Sequence, residues 1–357
     1  MIVGIPKEIK DQERRVALLP EAVARLTRAG IRLWVQEGAG VGVGCSDRLY
    51  REAGARLVKS ARELYKGADM VVKVKEPLPE EYRFFRPGLR LFCFLHLAAS
   101  PALAVALCRS DVTALAFETL IEKGTAPLLK PMSEIAGRLS LTIGAHYLRS
   151  DQGGKGILLS PTPYSPGARV AVIGGGTVGK AAAGLAAGLG AQVTLFDLQP
   201  EKLRDWAKNF PTLQLRPSRP ALIASALRHA DLAIGAVYIP GARAPRVIRT
   251  EMIRGMEPSS VWVDVAIDQG GSSETSRPTS LSHPVYRRYG VIHYAVPNMP
   301  ALASRTASYA LSRLLESYVK KLANLPESSL VKHPVFGTAL NVSGGRVVHP
   351  SVRSALR

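Results

Sequence analysis

Residues 169–197 read RVAVIGGGTVGKAAAGLAAGLGAQVTLFD, and no other stretch narrows the fold of this chain as much. The apolar run 170–173 reaches Gly174-Gly175-Gly176-Thr177-Val178-Gly179, a small-residue helical stretch follows, and a second apolar run ends at Asp197. Strand, glycine turn, helix, strand and terminal acid in this order form a dinucleotide-binding fingerprint. Gly174 permits the tight turn, Gly176 lets the backbone approach a pyrophosphate, and Gly179 lets helix and strand pack closely. The N-terminus of the helix that follows then presents free N–H groups to the phosphates. Asp197 lies eighteen residues beyond Gly179, near the spacing of about 20 at which a carboxylate takes a ribose hydroxyl. That carboxylate repels a 2′-phosphate, so the expected cofactor is NAD rather than NADP.

A chain of 357 residues, 46% of them hydrophobic, has material for two cores, since domains run to ~100–200 residues. No segment approaches the ~18 consecutive apolar residues of a membrane span. The start, MIVGIPKEIKDQERR, places charges where a signal peptide needs an apolar stretch. Cys45, Cys93 and Cys108 are odd in number and share no CxxC spacing. This argues against a disulfide framework or zinc site and for a reducing, cytoplasmic location. Lys and Arg number 47 against 28 Asp and Glu, a net charge of +19. The basic residues are scattered, and even the dense stretch 216–254 is broken by apolar runs, with no basic–aromatic alternation. The expectation is a solvated basic surface that steers anionic substrates and NAD, not a nucleic-acid partner.

Strands are expected at 2–5, 32–36, 69–74, 90–95 and 112–117, with a helix at 20–30 that opens on Pro20 and closes at Gly30. Met132, Ile135, Leu139 and Ile143 recur at helical spacing, and a Gly/Pro/Ser-rich loop covers 152–167. Further strands are expected at 170–173, 192–196, 231–236, 261–267 and 291–296. A long amphipathic helix then carries Leu311, Leu314, Leu315, Tyr318 and Leu322. Strands alternating with helices imply parallel sheets. The expected architecture is α/β, with two Rossmann-like domains joined by long helices. A nucleotide domain (128–306) is inserted into a catalytic domain built from 1–127 and 307–357.

Lys75, His96, Asp268 and Asn298 each sit where an apolar strand stops. Taken singly, a lysine after a strand is a solvated turn residue, a lone histidine a structural hydrogen-bonder, and Asp268-Gln-Gly-Gly a turn. Taken together they fall where open α/β sheets bind ligands, and an interdomain cleft is their expected meeting place. His96 has an intrinsic pKa suited to acid/base work near neutrality. Lys75 and Arg15 supply charge for a substrate carboxylate, Arg through its two-pronged fork. Asp268 is placed to hold an ammonium group, orient a water or share the proton work.

These segments resemble the alanine dehydrogenase/transhydrogenase family. The likeness runs through GIPKEIKDQERRVAL (4–18), VVKVKEPLPEEY (71–82), FLHLAA (94–99), PMSEIAGRL (131–139) and GGGTVG (174–179), and on through IGAVYIPGARAP (234–245), VDVAIDQGG (263–271), ETSRPT (274–279), PNMP (297–300) and LNVSGGRV (340–347). The resemblance implies that Arg15 and Lys75 bind the substrate and that His96 and Asp268 are the catalytic pair. It implies NAD contacts at Ser133, Thr177, Val178, Asp197, Lys202 and Ser218. Further contacts are implied at Val237, Tyr238, Val265, Ala266, Ile267, Asp268, Arg277, Val296, Pro297, Asn298 and Met299. It further implies reversible oxidative deamination of L-alanine to pyruvate and ammonia, in a homohexamer. The NAD-binding subunits of proton-translocating transhydrogenase share the fold but lack the KEP and HLA pairing of Lys75 and His96, and they need a membrane partner.

The chain departs from the family pattern at several points. Ser272-Ser273 stands where Cys-Phe is usual, Pro297 where Ala precedes the Asn, and Tyr238 where an aliphatic residue is usual. Proline fixes φ and removes an N–H, so Pro297 bears on Asn298. The positions of a magnesium site found in some members are Lys321 and Leu325 here, so no metal is expected. Two other readings stay open: a related NAD-linked amino-acid or oxo-acid dehydrogenase, and a non-catalytic NAD-binding protein.

Overall fold

Parallel strands can be joined only by long crossovers, and the alternation of short apolar runs with helices along this chain meets that need twice over. The computed structural model describes residues 1–239 and 244–356. These divide into two units, Met1–Met132 with 301–356 and Ser133–Ile239 with 244–300.

Along the chain the strands are β1 (Ile2–Ile5), β2 (Arg32–Gln36), β3 (Arg56–Val58), β4 (Met70–Val72), β5 (Arg90–Cys93), β6 (Thr113–Ala116), β7 (Arg169–Ile173), β8 (Gln192–Asp197), β9 (Leu213–Pro217), β10 (Leu232–Gly235), β11 (Val261–Asp264), β12 (Val285–Arg288), β13 (Val291–Tyr294), β14 (Leu340–Ser343) and β15 (Arg346–Val347). The first unit holds an eight-stranded sheet in the order β15-β14-β6-β5-β4-β1-β2-β3. Its strands from β6 to β3 run parallel, whereas β14 lies antiparallel to β6 and β15 antiparallel to β14. The second unit holds a seven-stranded sheet in the order β12-β13-β11-β10-β7-β8-β9, parallel except for β12. Both sheets are doubly wound. Strand order reverses between β1 and β4 in one and between β7 and β10 in the other, the places where such sheets open a crevice for ligands.

The central strands β4, β5, β6, β10 and β11 are buried at every residue, as expected where helices cover both faces of a parallel sheet. In the second unit, helix Thr177–Gly188 lays Ala182, Ala183 and Ala186 on the sheet with no exposed surface. Side chains this small bring helix and strand close. Helix Pro20–Arg28 starts on its proline, and the long helices Leu129–Tyr147 and Ser304–Ala323 occur where apolar spacing places them. Ser308 and Ser312 of the last helix accept hydrogen bonds from the Val16 and Leu19 amides at 3.0 and 2.8 Å. No described helix is long and apolar enough to cross a membrane.

The structure corrects the expected extents. The run 261–267 is strand only to Asp264. There the Asp264 carboxylate accepts the Ala266 amide at 3.1 Å and starts a 3-10 turn, Val265–Gln269. The run 69–74 is strand only over Met70–Val72, because a Glu8 carboxylate oxygen takes the Val74 amide at 2.6 Å. Strands β3, β9 and β12 carry no continuous apolar run. All lie at or next to a sheet edge, where one face suffices for burial.

Candidate functional site

In the second unit the nucleotide motif folds as a steric device. Gly174 has φ +107°, and a Cβ there would lie 2.5 Å from the Ala236 carbonyl oxygen, across the β7–β10 reversal. A Cβ on Gly179 would lie 1.7 Å from the Gly174 oxygen, whereas one on Gly176 would meet nothing within 4 Å. The turn is therefore closed on the protein side and open at Gly176, the cradle that a pyrophosphate needs. Thr177 and Val178 open the helix behind it. Asp197 ends β8, where one carboxylate oxygen accepts the Gly175 amide at 2.9 Å and the other the Gln199 amide at 2.8 Å. A carboxylate has about four acceptor positions, so Asp197 can clip the turn and still take a ribose hydroxyl. These residues fit NAD.

The other nucleotide positions are spread over the second unit, from the end of β9 to the strand β12 at the opposite edge of the sheet. The Ser218 amide donates to the Asp197 carbonyl at 2.7 Å, and Lys202 is exposed on the 3-10 turn Pro200–Leu203. Val237 is half-buried just past β10, and Tyr238 is 41% exposed. Ser133 is half-buried on helix Leu129–Tyr147. Arg277 lies over the Tyr286 ring at 4.5 Å. Residues 240–243 of the motif 234–245 fall outside the described residues.

Val265, Ala266, Ile267 and Asp268 form the turn after β11, and buried Asp264 holds that turn from below. Its oxygens accept from Ser272 N (2.8 Å), Ser272 Oγ (2.9 Å), Ser276 Oγ (2.5 Å) and Ser273 N (3.3 Å). Burial still drives its pKa upward against these bonds. Ser272 thus gives this chain a hydroxyl donor to Asp264. Val296, Pro297, Asn298 and Met299 follow β13. Asn298 adopts a left-handed φ of +63°, and its amide donates to both oxygens of Asp268 at 3.0 and 3.1 Å. Pro297 leaves this contact intact.

In the first unit Lys75 and His96 follow the adjacent parallel strands β4 and β5, and Arg15 lies in the segment between β1 and helix Pro20–Arg28. Arg15 is 2% exposed and gripped by Glu13, Nε to Oε1 at 2.7 Å and Nη2 to Oε2 at 2.6 Å, while its Nη1 lies 3.5 Å from Met132 Sδ. Lys75 follows β4, is 4% exposed and stands 3.2 Å from Glu76, whose other oxygen accepts from Lys10 Nζ at 2.5 Å. Burial pushes the Glu76 carboxyl up, but the charges of Lys75, His96 and Lys10 outweigh it and bring the pKa to about 2. Glu76 stays ionised among these cations. His96 follows β5 with φ +47° and ψ +39°. Its amide and that of Leu95 donate to Glu118 at 2.7 and 3.2 Å.

Beneath this surface lies a second charged group. Lys73, 1% exposed, donates to both oxygens of Glu81 at 2.8 and 2.6 Å, and Tyr65 donates to Glu81 at 2.8 Å. Glu8, 3.7 Å from Lys73, is raised to about 7, chiefly by burial.

Sequence reasoning found the cations and the turn but missed Glu13, Glu76, Glu118, Met132 and Asp264. Glu13 and Glu76 lie in the same short motifs as Arg15 and Lys75. Glu118 stands after an apolar strand as Lys75 and His96 do, and that position alone could have found it.

Known proteins match this arrangement. The Alanine dehydrogenase/PNT N-terminal domain family matches residues 4–136 and the Alanine dehydrogenase/PNT C-terminal domain family residues 140–350. The alanine dehydrogenase of Bacillus subtilis (strain 168) is 47% identical over 355 residues, 99% of this chain and 94% of that protein. A solved L-alanine dehydrogenase superposes with a TM-score of 0.93 at 45% identity, covering 99% of both chains. A transhydrogenase from Sinorhizobium meliloti superposes with a TM-score of 0.81 at 28% identity, covering 98% of this chain and 100% of that one. With the family's N-terminal model matched over residues 4–136 and its C-terminal model over 140–350, on a fold that carries the nucleotide turn, the chain belongs to the alanine dehydrogenase/PNT family.

Proposed function

We propose that this protein is an NAD-dependent alanine dehydrogenase, which converts L-alanine and water to pyruvate and ammonia and runs the reaction in reverse. The observation that carries the reading is the placement of Lys75 and His96 at the exits of adjacent parallel strands, both acting on the Glu76 carboxylate. NAD, when bound, supplies the hydride acceptor. The Gly174–Gly179 turn and the amides at Thr177 and Val178 receive its phosphates, Asp197 takes a ribose hydroxyl, and the remaining nucleotide positions flank it. Arg15 and Lys75 neutralise the substrate carboxylate and polarise the oxygen at C2. His96 moves the proton of the water that adds at C2, and Asp268 stabilises the departing ammonium. The catalytic unit we assign is discontinuous, formed by the chain on both sides of the nucleotide-binding segment. A homohexamer in a reducing cytoplasm accompanies this reading, checked by light scattering. The basic surface steers carboxylates and NAD rather than nucleic acid.

The test is NADH absorbance with L-alanine and NAD at mildly alkaline pH, alongside NADP, glycine and serine. Turnover with L-alanine and NAD, and loss of most of it with NADP, is the expected result. Turnover of another amino acid alone moves the substrate assignment and points to Tyr238 and Pro297. No turnover by a folded protein that binds NADH overturns the reading.

A further inference from the structure

Strands β5 and β6 pair in parallel from Arg90↔Thr113 to Cys93↔Ala116, and the ladder continues one step as the Phe117 amide donates to the Cys93 carbonyl at 2.8 Å. At Leu95 and His96 a side chain takes over the pairing. Glu118 Oε2 accepts the Leu95 amide at 3.2 Å and Oε1 the His96 amide at 2.7 Å. Two consecutive amides point at one carboxylate only when the chain turns, and His96, at φ +47° and ψ +39°, makes that turn. Non-glycine residues hold such a conformation only where the surroundings over-determine it. Two other contacts contribute. The Ala99 amide donates to the His96 carbonyl at 2.9 Å, and the Phe94 ring stacks on the imidazole at 6.0 Å. The strongest constraint is the ionised acceptor, because charge-assisted hydrogen bonds exceed neutral ones.

We propose that Glu118 is the positioning residue of His96: its carboxylate, at the exit of β6, fixes the left-handed backbone that aims the imidazole at the substrate. The assignment rests on His96 as the acid/base group of alanine oxidation. In this assignment Glu118 acts through the backbone at Leu95 and His96 rather than on the substrate itself. Gln at this position keeps the side-chain length but turns an NH2 toward one of the two amides. It therefore releases half the clamp at little cost in volume.

The experiment is a double-mutant cycle on alanine oxidation with Glu118→Gln, His96→Gln and the pair, each titrated with NADH by fluorescence. Glu118→Gln lowers kcat about tenfold to a hundredfold, the cost of a misplaced catalytic group. NADH affinity and the KM for alanine stay within about twofold. In the His96→Gln background, read at high enzyme concentration, Glu118→Gln costs nothing further. Equal losses in both backgrounds, or a wild-type kcat in Glu118→Gln, overturn the proposal. A crystal structure of Glu118→Gln with residue 96 still near φ +47° overturns it whatever the activity. If the wild type oxidises no alanine yet binds NADH, it is the proposed function that fails, and that φ then decides the role of Glu118 alone. Should Glu118→Gln not fold, Glu118→Asp, which reaches one amide, carries the same cycle with a smaller expected loss.

Discussion

His96 in the first unit and Asn298 in the second solve one problem in two ways. Both are non-glycine residues just past a parallel strand, both have positive φ, and both give their amide to a carboxylate. In the first unit the carboxylate, Glu118, is the proposed support and the turned residue, His96, the proposed reactive one. In the second the carboxylate, Asp268, is itself the expected catalytic group and the turned residue belongs to the nucleotide positions. The wider surroundings differ in the same sense. The first unit builds its site from paired charges, Glu13 with Arg15 and Glu76 with Lys75. The second builds it mainly from glycines and backbone, with Asp197, Asp268 and the buried Asp264 as its carboxylates. A site for a small anion needs cations held ready. A site for a long cofactor needs backbone left bare.

The largest expected effect tests the division of labour between His96 and Asp268. His96→Ala lowers kcat by about 10²–10⁴-fold, the usual worth of a general acid/base, and leaves NADH affinity unchanged. Asp268→Asn lowers kcat comparably and also weakens NADH binding, because it removes the charged acceptor of the Asn298 amide. Equal NADH affinity in the two variants, read by fluorescence titration, would break the comparison.

The next effect separates the glycines. Gly179→Ala places a Cβ 1.7 Å from the Gly174 oxygen, and its thermal unfolding midpoint drops by the equivalent of about 1–3 kcal/mol. Gly176→Ala meets no protein atom within 4 Å, so its midpoint holds while NADH affinity falls. Loss of stability in both would mean that the open side of the turn is not open.

The effect most confined in its conditions, visible only at the ends of the pH range, concerns acidity and has opposite signs in the two units. Burial raises Glu8 from 4.5 to about 7. Its contribution to stability is full below pH 4.5 and is lost as pH rises through about 7. Burial lowers His293 from 6.5 to about 4, so its contribution is full above pH 6.5 and is lost as pH falls through about 4. Each shift is worth on the order of 3 kcal/mol. Midpoints followed against pH should flatten on the alkaline side in Glu8→Gln and on the acid side in His293→Gln.

What was legible in the sequence is what periodicity and glycine chemistry encode. The turn at Gly174 to Gly179 and the central strands stand out because a parallel strand covered on both faces is a bare apolar run. Edge strands such as β9 and β12 escape notice because only one face is buried. The supporting carboxylates escape for another reason. Arg15's partner Glu13 is an ordinary acidic residue in the sequence, and Glu118, although its place after an apolar strand marks it, takes its role only from the amides that it meets after folding. Asp264 ends an apolar run that reads as continuous strand through Ile267, and only its side-chain bonds turn the chain there.

The return of β14 to the edge of β6 has a consequence for the order in which a ribosome delivers the chain. Residues 133–300, which complete the second sheet, are all synthesised before Leu340–Ser343. The nucleotide-binding half can therefore finish its sheet while the other still waits with β6 as an open edge, the kind of edge that recruits stray strands. The half that emerges first closes last, and a truncation that removes only the final turns of the chain would strike the part made earliest.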